Sequence, residues 1–421
     1  MKRRILPGAL KGLVERIPSS KSQTHRMMIA AYLSGAETVL EGITFSRDAE
    51  ATMGCLQALG AKVTRQGDRL TLLPGPRTED EALLDCGESG STLRFMLPVA
   101  AALGVKAAFD GRGKLPGRPL SPLYEEMAAH GVRLTPQGTF PLRISGRLQP
   151  GRYAMAGNVS SQFFSGLLLA LPLAAGESSI RVEGPLESAP YVNMTLDTLS
   201  LFGVQVQREP DGFRVPGGQR YRSPGTLRVE GDWSGAAFWL AAGALSEAGL
   251  TCGGLNLRSS QGDKAILPLL QGFGASVEEN GDRVTVRKGK LRGQEIDAAQ
   301  IPDLVPVLSA VAAHAGGDTV IRNTARLRLK ESDRVASVLA MVRAMGGEAE
   351  AEENQIIIRG KGGLRGGTVD AFGDHRIAMA AAVAATAADA PVTVLGAEAA
   401  AKSYPDFWDT FGQLGGMTHA L

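Results

Sequence analysis

LLQGFGASVEENGDRVTVRKG, residues 269–289, reads as the end of an apolar helix, a glycine, a short strand, a polar turn and a second strand. Gly274 stands where the helix must stop and the chain reverse, a place that favours a left-handed cap without Cβ. Asn280-Gly281-Asp282 separates two runs rich in alternating apolar and polar residues, the signature of a hairpin. The pattern recurs as LQALGAKVTRQGDRLTLLP from Leu56, EMAAHGVRLTPQGTFPLRISG from Glu126, LSLFGVQVQREPDGFRVPGG from Leu199 and MVRAMGGEAEAEENQIIIRG from Met341. A truncated copy, FGQLGGMTHAL, closes the chain. With Gly60, Gly131, Gly203, Gly274, Gly346 and Gly415 as markers, successive copies lie 69–72 residues apart. Six units of that length are expected to form two globular groups of three, with a cleft between them, and not an open array. The repeats alone leave open whether the groups follow chain order or whether the two chain ends share one group.

Composition agrees with this. A chain of 421 residues predicts two or more domains, and 44% hydrophobic with 21% charged residues is the balance of a soluble globular protein. A net charge of +2 and 5% aromatics argue against nucleic-acid or anionic-membrane partners. Cys55, Cys86 and Cys252 show no CxxC spacing, which speaks against a disulfide framework or zinc ribbon and fits a reducing compartment. Pro7, Gly8 and Lys11 interrupt the stretch after Met1-Lys2-Arg3-Arg4, so no export signal is read. The apolar runs 163–175 and 377–388 contain Pro172 or fall short of the roughly 20 residues of a membrane span, and are expected to be buried core helices. A cytoplasmic location follows as an expectation.

Chemistry concentrates in short segments rich in cations, Gly and Ser. PSSKSQTHR (18–26) places Lys21, Ser22 and Arg26 before an apolar helix, where amide donors, a point charge and a guanidinium fork together suit phosphate oxygens. A solvated, serine-capped helix start would read the same way. GESGSTLR (87–94), RGKLPGRPL (112–120), NVSSQFFSG (158–166), RLRLKESDR (326–334), GDHR (373–376) and AKSYPD (401–406) are similar in kind. No G-x-x-x-x-G-K-[ST] loop occurs. The histidines, at 25, 130, 314, 375 and 419, are scattered and form no metal motif, so neither metal nor cofactor is expected. His314 reads as a helix-end histidine, whereas His375, between Asp374 and Arg376, is a candidate for function.

Taken in order, Lys21-Ser22 with Arg26, Ser160-Ser161-Gln162, RLRLKESDR, Asp374-His375-Arg376 and Lys402 before Tyr404-Pro405 resemble the 5-enolpyruvylshikimate-3-phosphate synthase family, with a match from Lys21 to Asp406. The resemblance implies a two-domain inside-out α/β barrel of six βαβαββ units, three per domain. Residues 17–228 would form one domain, and 1–16 with 229–421 the other, closing on substrates in the cleft between them. It implies transfer of the enolpyruvyl group of phosphoenolpyruvate to the 5-hydroxyl of shikimate 3-phosphate, in aromatic amino-acid biosynthesis, by a monomer. Shikimate 3-phosphate would be held by Lys21, Ser22, Arg26, Ser160, Ser161, Gln162, Ser188, Asp303, Arg326 and Lys330. Phosphoenolpyruvate would be held by Lys21, Gly90, Arg118, Gln162, Arg334, Arg376 and Lys402. Asp303 would serve the hydroxyl, and Lys21 with Glu331 the methylene carbon, with His375 supporting Glu331.

The chain departs from the family pattern in two places: Glu88-Ser89 stands where better-known members carry Asn-Ala, and Arg326 where many carry Asn. Gly90 leaves room for glyphosate, so inhibition by that herbicide is expected. The alternative is the sister family acting on UDP-N-acetylglucosamine, which usually has a cysteine in the loop corresponding to 112–120; none is present here. An RNA-end-processing protein on a related repeat fold is the reading from a different class.

Overall fold

A computed structural model describes residues 1–76 and 80–421. Two compact units emerge: Lys21–Val229, and Met1–Ser20 together with Glu230–Leu421. The first boundary falls at Lys21 and not at residue 17 because the preceding residues pair with the second unit. Ser19 bridges Gly231, and the Ser20 amide donates to the Glu230 carbonyl at 2.7 Å.

The described residues form six four-stranded sheets of one plan. In one of them the parallel pair Ala82–Asp85 and Ala107–Asp110 is extended by Leu142–Gly146, antiparallel to the second strand, and then by Val132–Leu134. Three sheets borrow a strand from far along the chain. Thr226–Arg228 lies parallel to Thr38–Glu41, and Gly12–Val14 parallel to Leu250–Cys252. Lys2–Ile5 sits between Val392–Leu395 and Thr418–Ala420, so the N-terminal strand completes the truncated sixth repeat and the two chain ends share a unit.

Tight hairpins form where the turn signals stood, with Gln66 opposite Arg69 and Asn280 opposite Arg283. Around Gln137-Gly138 the connection is a wider loop, 135–141, because Pro136 and Pro141 lack the N–H needed to extend the ladder.

Each unit holds two kinds of helix. One kind is buried nearly all round: Lys21–Leu33, Gly90–Leu103 and Ser161–Ala170 in the first unit, and Trp233–Ala244, Val305–His314 and His375–Ala385 in the second. Their alanine- and leucine-rich sequences have no polar face to turn outward. The apolar runs at 163–175 and 377–388 lie in this set, and no helix among the described residues is long and apolar enough to cross a membrane. The other kind is amphipathic, as in Arg47–Ala58 and Arg334–Ala344, and precedes the marker glycines. Sheet strands alternate buried and exposed residues, so helices fill the interior and sheets face solvent.

Gly274 has φ +101°, and a Cβ there would lie 2.5 Å from the Lys290 carbonyl oxygen, whereas a Cβ on Gly415, at φ +90°, would meet nothing within 4 Å. Gly415→Ala is therefore expected to lose about 1 kcal/mol from backbone strain alone. Gly274→Ala should lose roughly 3 kcal/mol or more through strain plus the clash. Thermal melts of the two variants make the comparison, and equal losses would mean that the hairpin carbonyl does not restrict this cap.

Candidate active site

In the unit Lys21–Val229, Lys21, Ser22, Gly90, Ser160, Ser161, Gln162 and Ser188 lie at helix starts, whereas Arg26 sits in the second turn of its helix and Arg118 follows the short turn Leu115–Gly117. Lys21 opens its helix and donates from Nζ to Asp48 Oδ2 at 2.8 Å, both side chains being about 15% exposed. Ser160 caps the helix Ser161–Ala170, accepting from the Gln162 amide at 3.3 Å. Gln162 is fixed at both ends of its amide: Oε1 accepts from Arg94 Nη1 at 2.8 Å, and Nε2 donates to Ser91 Oγ at 2.8 Å. Arg94 also donates to the Pro119 carbonyl at 2.8 Å, beside Arg118. The Arg118 guanidinium packs on Gly90 so closely that a Cβ there would stand 2.5 Å from its Nη1.

Ser188 is buried with φ 56°, ψ 36°, a left-handed conformation unusual for a residue with a side chain, of the kind often retained at functional sites.

Arg26 points into the unit. Its Nε donates to Thr195 Oγ1 (2.7 Å), Nη1 to the Ser22 carbonyl (2.7 Å), and Nη2 to Ser165 Oγ (3.1 Å) and the Tyr191 carbonyl (2.9 Å). Four of its five N–H groups are thus taken by described residues. Burial pulls its pKa down to about 9, which leaves it charged near neutrality. These bonds draw together the starts of the helices at Lys21, Ser161 and Ala189, and the Gln162–Ser91 bond adds the start at Gly90.

The second unit gathers Asp303, Lys330, Glu331, Arg334, Asp374 and Arg376 into one cluster. Arg334, 1% exposed at its side chain, donates from Nη1 to Asp303 Oδ1 (2.6 Å), from Nη2 to Glu331 Oε2 (2.6 Å) and from Nε to Asp374 Oδ2 (2.8 Å). Arg376 Nη2 holds the other Asp303 oxygen at 2.8 Å, and Lys330 Nζ stands 3.9 Å from Asp303 Oδ1. Asp374 also caps the helix His375–Ala385 by accepting from the Arg376 amide, and takes a bond from Ser332 Oγ at 3.0 Å. His375 Nδ1 lies 3.8 Å from Asp374 Oδ1. Lys402 Nζ donates to the Gly373 carbonyl at 2.7 Å, joining AKSYPD to GDHR. Arg326 donates to the Ala299 carbonyl at 3.0 Å.

Electrostatics follow from this packing. Burial alone would raise the Asp303 pKa, but Arg376, Lys330 and Arg334 together outweigh it and hold the carboxyl well below the usual range. Burial pulls Lys330 down to about 7, with Arg326 and Arg334 adding to the effect and Asp303 opposing it. Arg334 itself is driven well above its ordinary value because its three carboxylates outweigh burial.

Asp48, which holds Lys21, is not among the sequence candidates, and Arg94 and Asp374 enter the sequence reading only as members of the segments GESGSTLR and Asp374-His375-Arg376, without a role. Their partners lie 27, 68 and 40 residues away along the chain, beyond the reach of any local motif.

The fold and the two clusters place the chain among the enolpyruvyl transferases in architecture. The enolpyruvyl transferase NikO from Streptomyces tendae superposes with a TM-score of 0.78 over 99% of this chain and 98% of its own at 18% identity, a likeness of fold alone. EPSP synthase from Acinetobacter baumannii superposes with a TM-score of 0.83 at 26% identity, covering 100% of both chains. A family model described as EPSP synthase (3-phosphoshikimate 1-carboxyvinyltransferase) matches residues 6–411. The 3-phosphoshikimate 1-carboxyvinyltransferases of Clostridium kluyveri and Clostridium acetobutylicum are each 42% identical, over 98% and 99% of this chain and 97% and 98% of their own. The chain belongs to the EPSP synthase family.

Arg334→Ala should lose roughly 3–5 kcal/mol of stability at pH 8, because three carboxylates are left near one another without their shared cation. Without the guanidinium, burial raises the pKa of Asp374, whose main opposing charge is Arg334, whereas Asp303 keeps Arg376 and Lys330, so Asp374 takes up a proton in the folded state as pH falls. The deficit is therefore expected to shrink between pH 8 and pH 5.5. Urea unfolding at the two pH values tests this, and a loss independent of pH would mean that Asp374 does not depend on Arg334.

Proposed function

We propose that the chain transfers the enolpyruvyl group of phosphoenolpyruvate to the 5-hydroxyl of shikimate 3-phosphate, releasing inorganic phosphate, as a cytoplasmic monomer. The observation that carries the reading is one buried guanidinium, Arg334, holding Asp303 and Glu331 each at 2.6 Å, so that two ionised carboxylates stand together as proton acceptors in a chain of this family. The three cysteines are free and buried, which supports a reducing compartment.

In this reading both units act on the same pair of substrates. Ser160, Ser161, Ser22 and Ser188 take the phosphate and ring of shikimate 3-phosphate, with Gln162, Lys330 and Arg326 beside them. Arg26 contributes mainly by holding helix starts in place. Lys21, the Gly90 helix start, Arg118, Gln162, Arg334, Arg376 and Lys402 take the phosphate and carboxylate of phosphoenolpyruvate, whose charge calls for cations and amide donors.

Asp303, kept ionised by its cations, accepts the proton of the attacking 5-hydroxyl as oxygen bonds to C2 of phosphoenolpyruvate. Lys21 delivers a proton to the C3 methylene, giving a tetrahedral intermediate. Cleavage of the C2–O bond to phosphate then releases phosphate as the Glu331 carboxylate takes a proton from C3, restoring the enol ether. His375 supports Glu331.

For the sister reaction on UDP-N-acetylglucosamine a reactive cysteine would be wanted. Cys86 is buried, and its thiol is pushed up by burial and by neighbouring Cys55, the setting of an inert residue.

Phosphate release with phosphoenolpyruvate and shikimate 3-phosphate is the direct assay. Lys21→Ala should lower kcat/KM roughly a hundredfold or more. Release with UDP-N-acetylglucosamine instead would move the assignment to the sister family.

Lys330 adds a pH signature. Its pKa of about 7 in the free protein must rise when an anion binds, so binding takes up a proton. Above pH 7 the free amine loses that charge, and shikimate 3-phosphate affinity should fall by up to about tenfold per pH unit. Calorimetry from pH 7 to 9 in buffers of different ionisation enthalpy reads the proton uptake, and Lys330→Met should abolish it. Uptake unchanged in that variant would remove Lys330 from the site.

A further inference from the structure

His25 has no role in the reading above, yet it begins a continuous buried chain of hydrogen bonds. It lies four residues after Lys21 on one helix, so the two share a face. Its Nδ1 stands 2.7 Å from Thr52 Oγ1, which stands 2.7 Å from Thr92 Oγ1. Thr92 Oγ1 reaches Ser89 Oγ at 2.8 Å and the Asp48 carbonyl at 3.4 Å. None of the four side chains is more than 1% exposed.

Proton counting gives this chain a direction. Each hydroxyl has one proton, and the Asp48 carbonyl can only accept, so the Thr92 proton goes to it or to Ser89. The Thr52–Thr92 bond is then made by the Thr52 proton, and the His25–Thr52 bond by an Nδ1–H. Reversing the direction would put the imidazole proton on Nε2, which has no partner among the described residues; a buried N–H costs more to leave unmade than a lone pair. Burial lowers the His25 pKa to about 3, so the ring carries a single proton at neutral pH.

The chain ends on two features of the site. Thr52 follows Asp48 by one helical turn, so His25–Thr52 is a second rung beside Lys21–Asp48 at 2.8 Å. Ser89 caps the helix whose first residue, Gly90, supports the Arg118 guanidinium.

We propose that His25, as the neutral Nδ1–H tautomer, is a positioning residue for phosphoenolpyruvate: through Thr52 and Thr92 it sets Lys21 against Asp48 and the Ser89–Gly90 turn against Arg118. This rests on the function proposed above. A displacement of the Lys21 and Gly90 elements by a fraction of an ångström weakens the grip on one substrate and leaves the acid–base cluster of the other unit unaltered.

Four variants and one spectrum test it. His25→Leu and Thr52→Val remove a donor and should raise the KM for phosphoenolpyruvate roughly tenfold, with the KM for shikimate 3-phosphate changed much less. His25→Asn keeps an N–H near the Nδ1 position and should stay within about threefold of the parent, as should Thr52→Ser, which keeps the hydroxyl. In 15N-histidine spectra of the unliganded protein, the resonance lost in His25→Asn should carry its proton on Nδ1. A proton on Nε2 would overturn the proposal. So would His25→Asn as impaired as His25→Leu, or variants that melt earlier with an unchanged KM. A parent chain without phosphate release would sink the functional reading, while the tautomer, read without substrate, still decides whether the relay exists.

Discussion

Arg334 is the contact on which the second unit's site depends. Three carboxylates from separate elements meet on one guanidinium: Asp303 before the helix Val305–His314, Glu331 before Arg334–Ala344, and Asp374 at the cap of His375–Ala385. Such buried clusters contribute little net stability, because stripping water from each ion offsets the attraction. What they contribute is geometry. The planar fork donates in several fixed directions at once, which an ammonium cannot do, so three helix starts are held together by one side chain. Arg376 and Lys330 complete the charge balance, and Asp303 is kept ionised where burial alone would protonate it.

The two units use helix starts in opposite ways. In the unit Lys21–Val229 the caps at 89 and 160 are serines, neutral groups that, with no acid in the first turn, leave the positive end of each helix dipole available to an anion. In the other unit the caps at 232, 333 and 374 are aspartates, which already neutralise those ends. An anion is therefore met by helix ends and cations in the first unit. In the second, arginines and lysine are largely engaged by the protein's own acids.

Much of this was legible because its causes are local. The glycine period reports left-handed caps after amphipathic helices, and Gly67-Asp68 and Gly281-Asp282 report two-residue turns that need little else. The loop at 135–141 departs from a tight hairpin because two prolines remove ladder donors, a signal that was in the sequence but was outweighed by Gln137-Gly138. The strand Lys2–Ile5, which completes the last sheet, could not be assigned from its own residues, since nothing within it names a partner near residue 394. Arg26 shows the same limit at the site: its type suggests phosphate, but Thr195 and the Tyr191 carbonyl, far along the chain, claim its donors. His25 was one of five scattered histidines until Thr52 and Thr92 were seen beside it.

The repeat signature and the chemistry lie in different parts of each repeat. The marker glycines follow the amphipathic helices, where the chain turns out into a hairpin. Most site residues precede or open the buried helices, where the polypeptide enters the interior. The hairpin end is under a steric constraint that any of the six copies must meet, so it repeats. Helix starts face no such uniform demand. An apolar body buried all round fixes the helix whatever its first turn contains, and that first turn is free to carry Lys21, Gly90 or Ser161 in one unit and Asp303 or Asp374 in the other. A fold built by repetition can thus assemble clusters that are not repetitive, because the residues that specify the repeat are not those that gather at the helix starts.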